Sequence, residues 1–404
     1  MDSALFPASG SFLQSIRTSS RGLREAANVL VQEQAIKRLL LSPAFTSSFK
    51  RVSSSHGLAM PLNFPSAGAE LNLLSILSLL NFGSGYRGPL HAETGHGAWD
   101  CMRAFVFSLY ITSSVDEDDL LSAKGLKNIS EGKVAELMRV NIHVEKPHET
   151  LEHVIIGELR GPMYDLVRLV SKILNETGEI LDNMGYHDLG MFVLEALKEG
   201  QKACSDADDH ADVEVVLERL VRAFPGFQDM AVVDGQRIFC FKKALFLIHA
   251  ISVRFGSTKP PLFPVPSTSH MPVFSDNVLP SLLIHLGVID ISASPTLSSL
   301  FPHAGSQESL AALLATAAPE IDDVKTVPKD GPALSIDQAY ILRAAAIDAC
   351  ELIIEVAHTL DAASLEWLNA IHLPALDMWI WAVAKDRADY RRLERFVLRD
   401  TVFF

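Results

Sequence analysis

Cationic side chains are scarce. The 404 residues hold 35 Lys and Arg against 49 Asp and Glu, a net charge of −14. Nucleic acid or an anionic membrane surface recruits proteins through concentrated positive charge. The composition therefore argues against either as a direct partner and leaves room only for a local basic pocket, of the size one phosphate needs. Cysteine is also sparse: Cys101, Cys204, Cys240 and Cys350 stand far apart with no CxxC pair. That excludes a disulfide framework and a cysteine zinc site and fits a reducing compartment. The most apolar early run, LNLLSILSLLNF at 71–82, is too short to span a bilayer. The opening MDSALFPASG has no basic segment ahead of an apolar run, so a cytoplasmic chain without a secretory leader is expected. GxSxG, HExxH, P-loop and dinucleotide fingerprints are all missing.

Strand signals are few as well, and no strand–helix alternation or solenoid period is seen. What is present is apolar residues, 48% of the chain, enough for a large core. The expected fold class is all-α, a single large helical domain over 1–404 with at most one small hairpin. Helical spacing of apolar residues marks helices over 12–41, 71–80, onward from Trp99, 165–181, 189–197, 213–223, 335–360 and 363–386, with short helices in 116–137 and Pro374 dividing the last. FTSSFKRVSSSHG at 45–57 reads as an interruption, 83–97 as a glycine-rich loop, and the Ser-, Ala- and Pro-rich 300–335 as a surface excursion. AVVDGQRIF at 231–239 carries an Asp234–Gly235 turn between apolar flanks, a strong hairpin signal. The acidic run SDADDHADVE at 205–214 lacks EF-hand spacing and reads as a solvated loop.

The chain is organised around 241–287. FKKALFLIHAISVRFG and FSDNVLPSLLIHLG read as two buried helices joined by a Pro- and Ser-rich loop, ended by Gly256 and Gly287. Asp276 stands where an N-cap belongs, with Pro280 in the first turn. Two readings stay open for it: a helix cap, or an anion positioned at a cleft. Lys242 and Lys243 are either solvated or, since the dipole disfavours cations at a helix start, held by a dedicated partner. Asp377, amid the apolar and aromatic residues of LPALDMWIWAVAKD, is either a cap after Pro374 or a ligand-facing carboxylate one turn from Trp381. Arg87 is a weak phosphate candidate, and His56 by itself reads as a surface histidine.

Six segments in order, LNFG (80–83), LNETG (174–178), FPGFQDMAVVDGQRIFCFKKA (224–244), VFSDNVLPSLLIHLGVI (273–289), ALDMWIW (375–381) and the closing TVFF, resemble those of the queuosine salvage family, the queuosine 5′-phosphate N-glycosylases. The chain is identified as a divergent, fungal-type member. The resemblance implies a helical fold related to helix-hairpin-helix DNA glycosylases. It also implies hydrolysis of queuosine 5′-monophosphate to release queuine for tRNA modification, with no metal and no cofactor. Carried over position by position, Asp276 matches the catalytic aspartate and Lys242 the motif lysine, with Phe241 beside it. Phe274 and Trp381 match pocket aromatics, Asp377 a pocket carboxylate, and His56 a pocket histidine. The chain departs from the family at Ala250 and Ala382, where the family carries aspartates, and at Asn277 and Val278, where it carries tyrosine and arginine. Those departures bear on base recognition and keep open a second reading, a member that binds a nucleotide without cleaving it.

Overall fold

Ser335 and Gln338 close a reciprocal cap: the serine Oγ accepts the Gln338 N–H at 3.2 Å, and the glutamine Oε1 accepts the Ser335 N–H at 3.0 Å. The helix they start, Ile336–Thr359, runs 24 residues and is buried along most of its length. A run of alanines from Ala344 to Ala346, with Ala349, lets neighbours approach closely. Helices Phe12–Ala26, Glu33–Leu40, Val278–His285 and Leu373–Asp386 pack against it. Charge fixes the first of these in register: Arg17 pairs with Glu351 at 2.8 Å, and Arg21 and Arg24 both reach Asp348, at 3.0 and 2.5 Å.

The computed structural model describes residues 6–53, 58, 60–113, 119–151, 153–204, 210–316, 329–361 and 365–404. The chain divides into two compact units. One comprises 1–63, 196–219 and 229–398; the other comprises 64–195, 220–228 and 399–404. The expected helical class holds: 17 α-helices are found among the described residues, and strands occur only as two-stranded pairs. No helix among the described residues is long and apolar enough to cross a membrane.

The first unit contains the expected hairpin, Met230–Val233 with Gln236–Phe239, turning at Asp234 and Gly235 with φ of 48° and 78°. That double left-handed turn is the one Asp-Gly favours. Two short pairings join it in this unit, Leu30–Val31 with Ile289–Asp290 and Asp330–Ala333 with Arg395–Val397. The second unit centres on the 23-residue helix Pro162–Met184, against which Ala123–Asn128 and Glu131–Met138 pack. Its helix Ala67–Leu79 is buried from Leu71 onward, as expected of a helix apolar on all sides.

Several expectations are corrected. The 45–57 interruption is mostly the helix Pro43–Val52, whose Thr46, Ser47 and Ser48 hydroxyls bond back to carbonyls four residues earlier. Polar side chains satisfied in this way do not break a helix. The 83–97 loop contains the helix Arg87–Thr94, which takes Gly88 into its first turn; the left-handed glycines Gly83 and Gly95, at φ 93° and 73°, stand outside it on either side. The sequence allowed one hairpin; a second, His143–Pro147 with Ile155–Leu159, is exposed at every residue and so lacks the alternation that marks a strand. Pro374 begins the helix Leu373–Asp386 where division of a longer one was expected. Within 300–335 stand the helix Gln307–Leu314 and the strand Asp330–Ala333, while 317–328 lie outside the described residues. The end of the acidic run opens the helix Ala211–Ala223, and Glu214 there accepts the N–H groups of Phe12 and Leu13 at 2.9 and 3.0 Å.

Gly178 lets two helices of the second unit touch. A Cβ there would fall 2.3 Å from the Lys127 nitrogen and 2.5 Å from the Ala123 oxygen. Gly178→Ala is expected to destabilise the protein by about 1–3 kcal/mol, seen as a lower urea midpoint; an unchanged midpoint means the helices stand further apart.

Candidate functional site

The strand Gln236–Phe239 passes into the helix Lys242–Phe255 within two residues. That turn forces Phe241 into the left-handed region, φ 46° and ψ 33°, which costs a bulky residue about 1–3 kcal/mol. Asp229 holds the turn. Its carbonyl accepts the N–H groups of Cys240 and Phe241 at 3.0 and 3.2 Å, and its Oδ2 accepts the Lys242 N–H at 3.1 Å. The carboxylate thus meets the positive end of the helix. The Phe241 ring lies 5.7 Å from those of Phe12 and Phe239.

Arg343, on the central helix, grips the same carboxylate through both terminal nitrogens, at 2.8 and 2.5 Å. Tyr340, one turn earlier, donates its hydroxyl to Asp229 at 3.1 Å. Asp229 and Arg343 are both fully buried. The remaining guanidinium nitrogen, Nε, donates to the Ser275 carbonyl at 2.9 Å, and the Ser275 hydroxyl donates to the Arg343 carbonyl at 3.1 Å. One ion pair therefore ties the backbone of Lys242 to the residue preceding Asp276.

Asp276 caps the helix Val278–His285 from one position earlier than expected, with Asn277 at the N-cap. Its Oδ1 accepts the N–H of Val278 at 2.7 Å and of Leu279 at 3.4 Å. Oδ2 takes no hydrogen bond among the described residues. Asp377 is not a cap: His372 occupies that place in its helix. The Asp377 Oδ2 instead accepts the Phe274 N–H at 2.7 Å. The Phe274 ring stands 6.2 Å from Phe246 and 5.4 Å from His249, and His249 Nδ1 lies 2.9 Å from the Thr268 hydroxyl.

Lys242, Asp276 and Asp377 share one electrostatic environment. Burial pulls Lys242 down to about 8; Asp276 opposes that, Arg343 adds to it, and Asp229 and Asp377 oppose it more weakly. Lys243, fully buried, is held well below its ordinary value by burial and by Lys242. Burial pushes Asp377 up to about 7; the Phe274 N–H opposes this, Asp276 reinforces it and Lys242 opposes it. A carboxyl and an ammonium that both titrate near neutral pH, beside a carboxylate with a spare oxygen, suit proton and charge management on a cationic transition state.

The structure thus brings Lys242, Asp276, Asp377 and Phe274 together. Phe241 points into the aromatic group with Phe12 and Phe239. Trp381 is half-buried one turn from Asp377, with the Lys385 ammonium 3.7 Å from its ring centroid. Trp379 is the deeply buried tryptophan of the pair, donating to Ser48 at 2.8 Å. His56 lies outside the described residues, and Arg87 belongs to the second unit. Among the described residues no group of three His, Cys, Asp or Glu is placed to hold a metal ion.

The stretch that carries the buried lysine and the half-bonded aspartate is also the one that compares with known families. Residues 117–301 match the queuosine salvage protein family. No curated protein sequence matches the chain. The queuosine salvage match takes in Asp229, Lys242, Phe274 and Asp276 and stops short of Arg343, Asp377 and Trp381. Sequence reasoning passed over Asp229, Tyr340 and Arg343. A signal existed: Arg343 is a lone cation in the apolar run AYILRAAAI, and a charge in such a setting needs a partner. Its partner lies 114 residues away, beyond any local pattern.

The raised Asp377 value has a thermodynamic consequence. At pH 5 the folded carboxyl keeps a proton that the unfolded one, near 3.8, has lost, so the native state binds more protons and stability falls as pH rises from about 4 to about 7. Lys242 is charged in both states over that window and adds nothing. Asp377→Asn is expected to gain stability relative to the unsubstituted protein as pH rises across this range, by a few kcal/mol at most. Urea unfolding at pH 4.5 and 7 checks it; a constant difference between the two proteins contradicts the placement of Asp377.

Proposed function

We propose that this protein hydrolyses the N-glycosidic bond of queuosine 5′-monophosphate in the cytoplasm, releasing the 7-deazaguanine base queuine for reuse in tRNA modification. The observation that carries this reading is Asp276 itself. One oxygen is fixed by the helix start, the other is uncommitted, and the residue lies beside a buried lysine within the family-matched stretch.

The chemistry asks for that arrangement. As the C1′–N9 bond breaks, its electron pair leaves with the base and positive charge grows at C1′. A carboxylate oriented by backbone N–H groups needs no reorganisation to meet that charge, either by electrostatic contact or by bonding to C1′. Water then supplies the oxygen at C1′ and a proton for the base, giving ribose 5-phosphate and queuine. Lys242 offers positive charge for the phosphate and for Asp276. Asp377, near its midpoint at neutral pH, offers a carboxyl to the guanine-like edge or the side-chain ammonium of the base. Phe274 and Trp381 offer faces for the ring. The net charge of −14 supports a nucleotide as partner over a nucleic acid.

Asp276→Asn keeps an oxygen for the cap and removes the charge. With folded protein and queuosine 5′-monophosphate, queuine release should fall by about 10³-fold or more. Turnover at the unsubstituted rate would remove Asp276 from the chemistry. If the unsubstituted protein is thermally stabilised by the nucleotide yet releases no base, the protein is a nucleotide-binding member of the family, a reading that Ala250 and Ala382 motivate.

A further inference from the structure

We propose that Asp229 and Arg343 are positioning residues, a buried pair that sets where the Lys242 ammonium stands relative to the Asp276 carboxylate. The inference rests on the reading above of Lys242 and Asp276 as the working groups. A buried ion pair is often only a structural device, replaceable by apolar packing. Here three observations point further.

First, the pair bonds directly to the two site segments. Asp229 takes the backbone N–H of Lys242 itself, and Arg343 takes the carbonyl of Ser275, the residue next to Asp276. Second, Asp229 holds Phe241 in a left-handed conformation that a phenylalanine avoids, through both its carbonyl and its carboxylate. That conformation decides the direction in which Lys242 leaves the backbone, and strain of this kind persists only where surrounding contacts impose it. Third, the two members act on Lys242 with opposite sign. The charges that act on its ammonium are those of Asp276, Arg343, Asp229 and Asp377, and it is coupled to Lys243. Asp229 favours the charged lysine and Arg343 disfavours it. Tyr340 and Cys240 enter through Arg343.

The sign difference shows that each charge is felt at Lys242; a loss of kcat with KM little changed is what separates a positioning pair from a purely structural one. The test uses the full chain with lysine labelled at the side-chain Cε, the Lys242 resonance being assigned by its loss in Lys242→Arg. Titrated by NMR, Lys242 should shift its midpoint down by about one pH unit in Asp229→Asn and up by a similar amount in Arg343→Gln, about a tenfold change in proton affinity each way. The alkaline limb of kcat for queuosine 5′-monophosphate should follow in the same two directions, with kcat lowered about a hundredfold and KM little changed. Midpoints that stay put, or move together, overturn the proposal, as does a fall in Tm with kcat unaltered. If neither charge variant folds, Tyr340→Phe decides, because it removes one bond to Asp229 and leaves the ion pair intact. A displaced Lys242 resonance with lowered kcat supports positioning; an unmoved resonance with unchanged kcat overturns it. A protein that releases no queuine yet shows the opposite midpoint shifts fails the proposed function and keeps the positioning pair.

Discussion

A guanidinium shut away from water is tolerated only where a counter-charge and hydrogen-bond acceptors surround it. Arg343 meets both needs with Asp229 and the Ser275 carbonyl. Although burial works against the cation, the Asp229 carboxylate holds it above its ordinary value. Removing one partner of such a pair typically costs about 3–5 kcal/mol, on the scale of a whole protein's net stability. The consequence is geometric. Segments near positions 229, 241, 275 and 343, far apart in the chain, are drawn to one point, and the strained start of the helix Lys242–Phe255 is held there.

Around that point two carboxylates share a design. Asp276 gives one oxygen to the N–H groups of Val278 and Leu279, and Asp377 gives one to Phe274. A carboxylate bonded through a single oxygen is oriented without being used up. A helix cap and a positioned anion, which compete as explanations when only the residue type is known, are compatible in one group. The lysine beside them is brought down by burial to about 8, so it stays charged at neutral pH but within reach of changes in the surrounding charges.

The helical class, the hairpin at Asp234–Gly235 and the stop at Gly287, φ 67°, were legible because each depends on neighbours in the chain: apolar spacing, a turn pair, a residue that accepts left-handed backbone. The helix Lys242–Phe255 also ends at Gly256, but with right-handed backbone there, φ −67°. The helix Pro43–Val52 was not, because its serines look like loop residues until their hydroxyls are seen bonded within the helix. The exposed hairpin at 143–159 was not, because without a buried face there is no alternation to read.

The sequence by itself determined that this chain is mostly helical, acidic and apolar enough for a large core. It singled out Asp276, Lys242 and Asp377 as charges in unusual company, and its segment order carried the family likeness. Tertiary structure alone decided what those charges are. Whether Lys242 is solvated or buried, and whether Asp377 caps a helix or faces Phe274, depends on contacts 13 and 103 residues distant. The pairing of Asp229 with Arg343 spans 114. A residue's type sets which bonds it is able to make; desolvation and partner geometry set which it does make, and both are properties of the packed molecule.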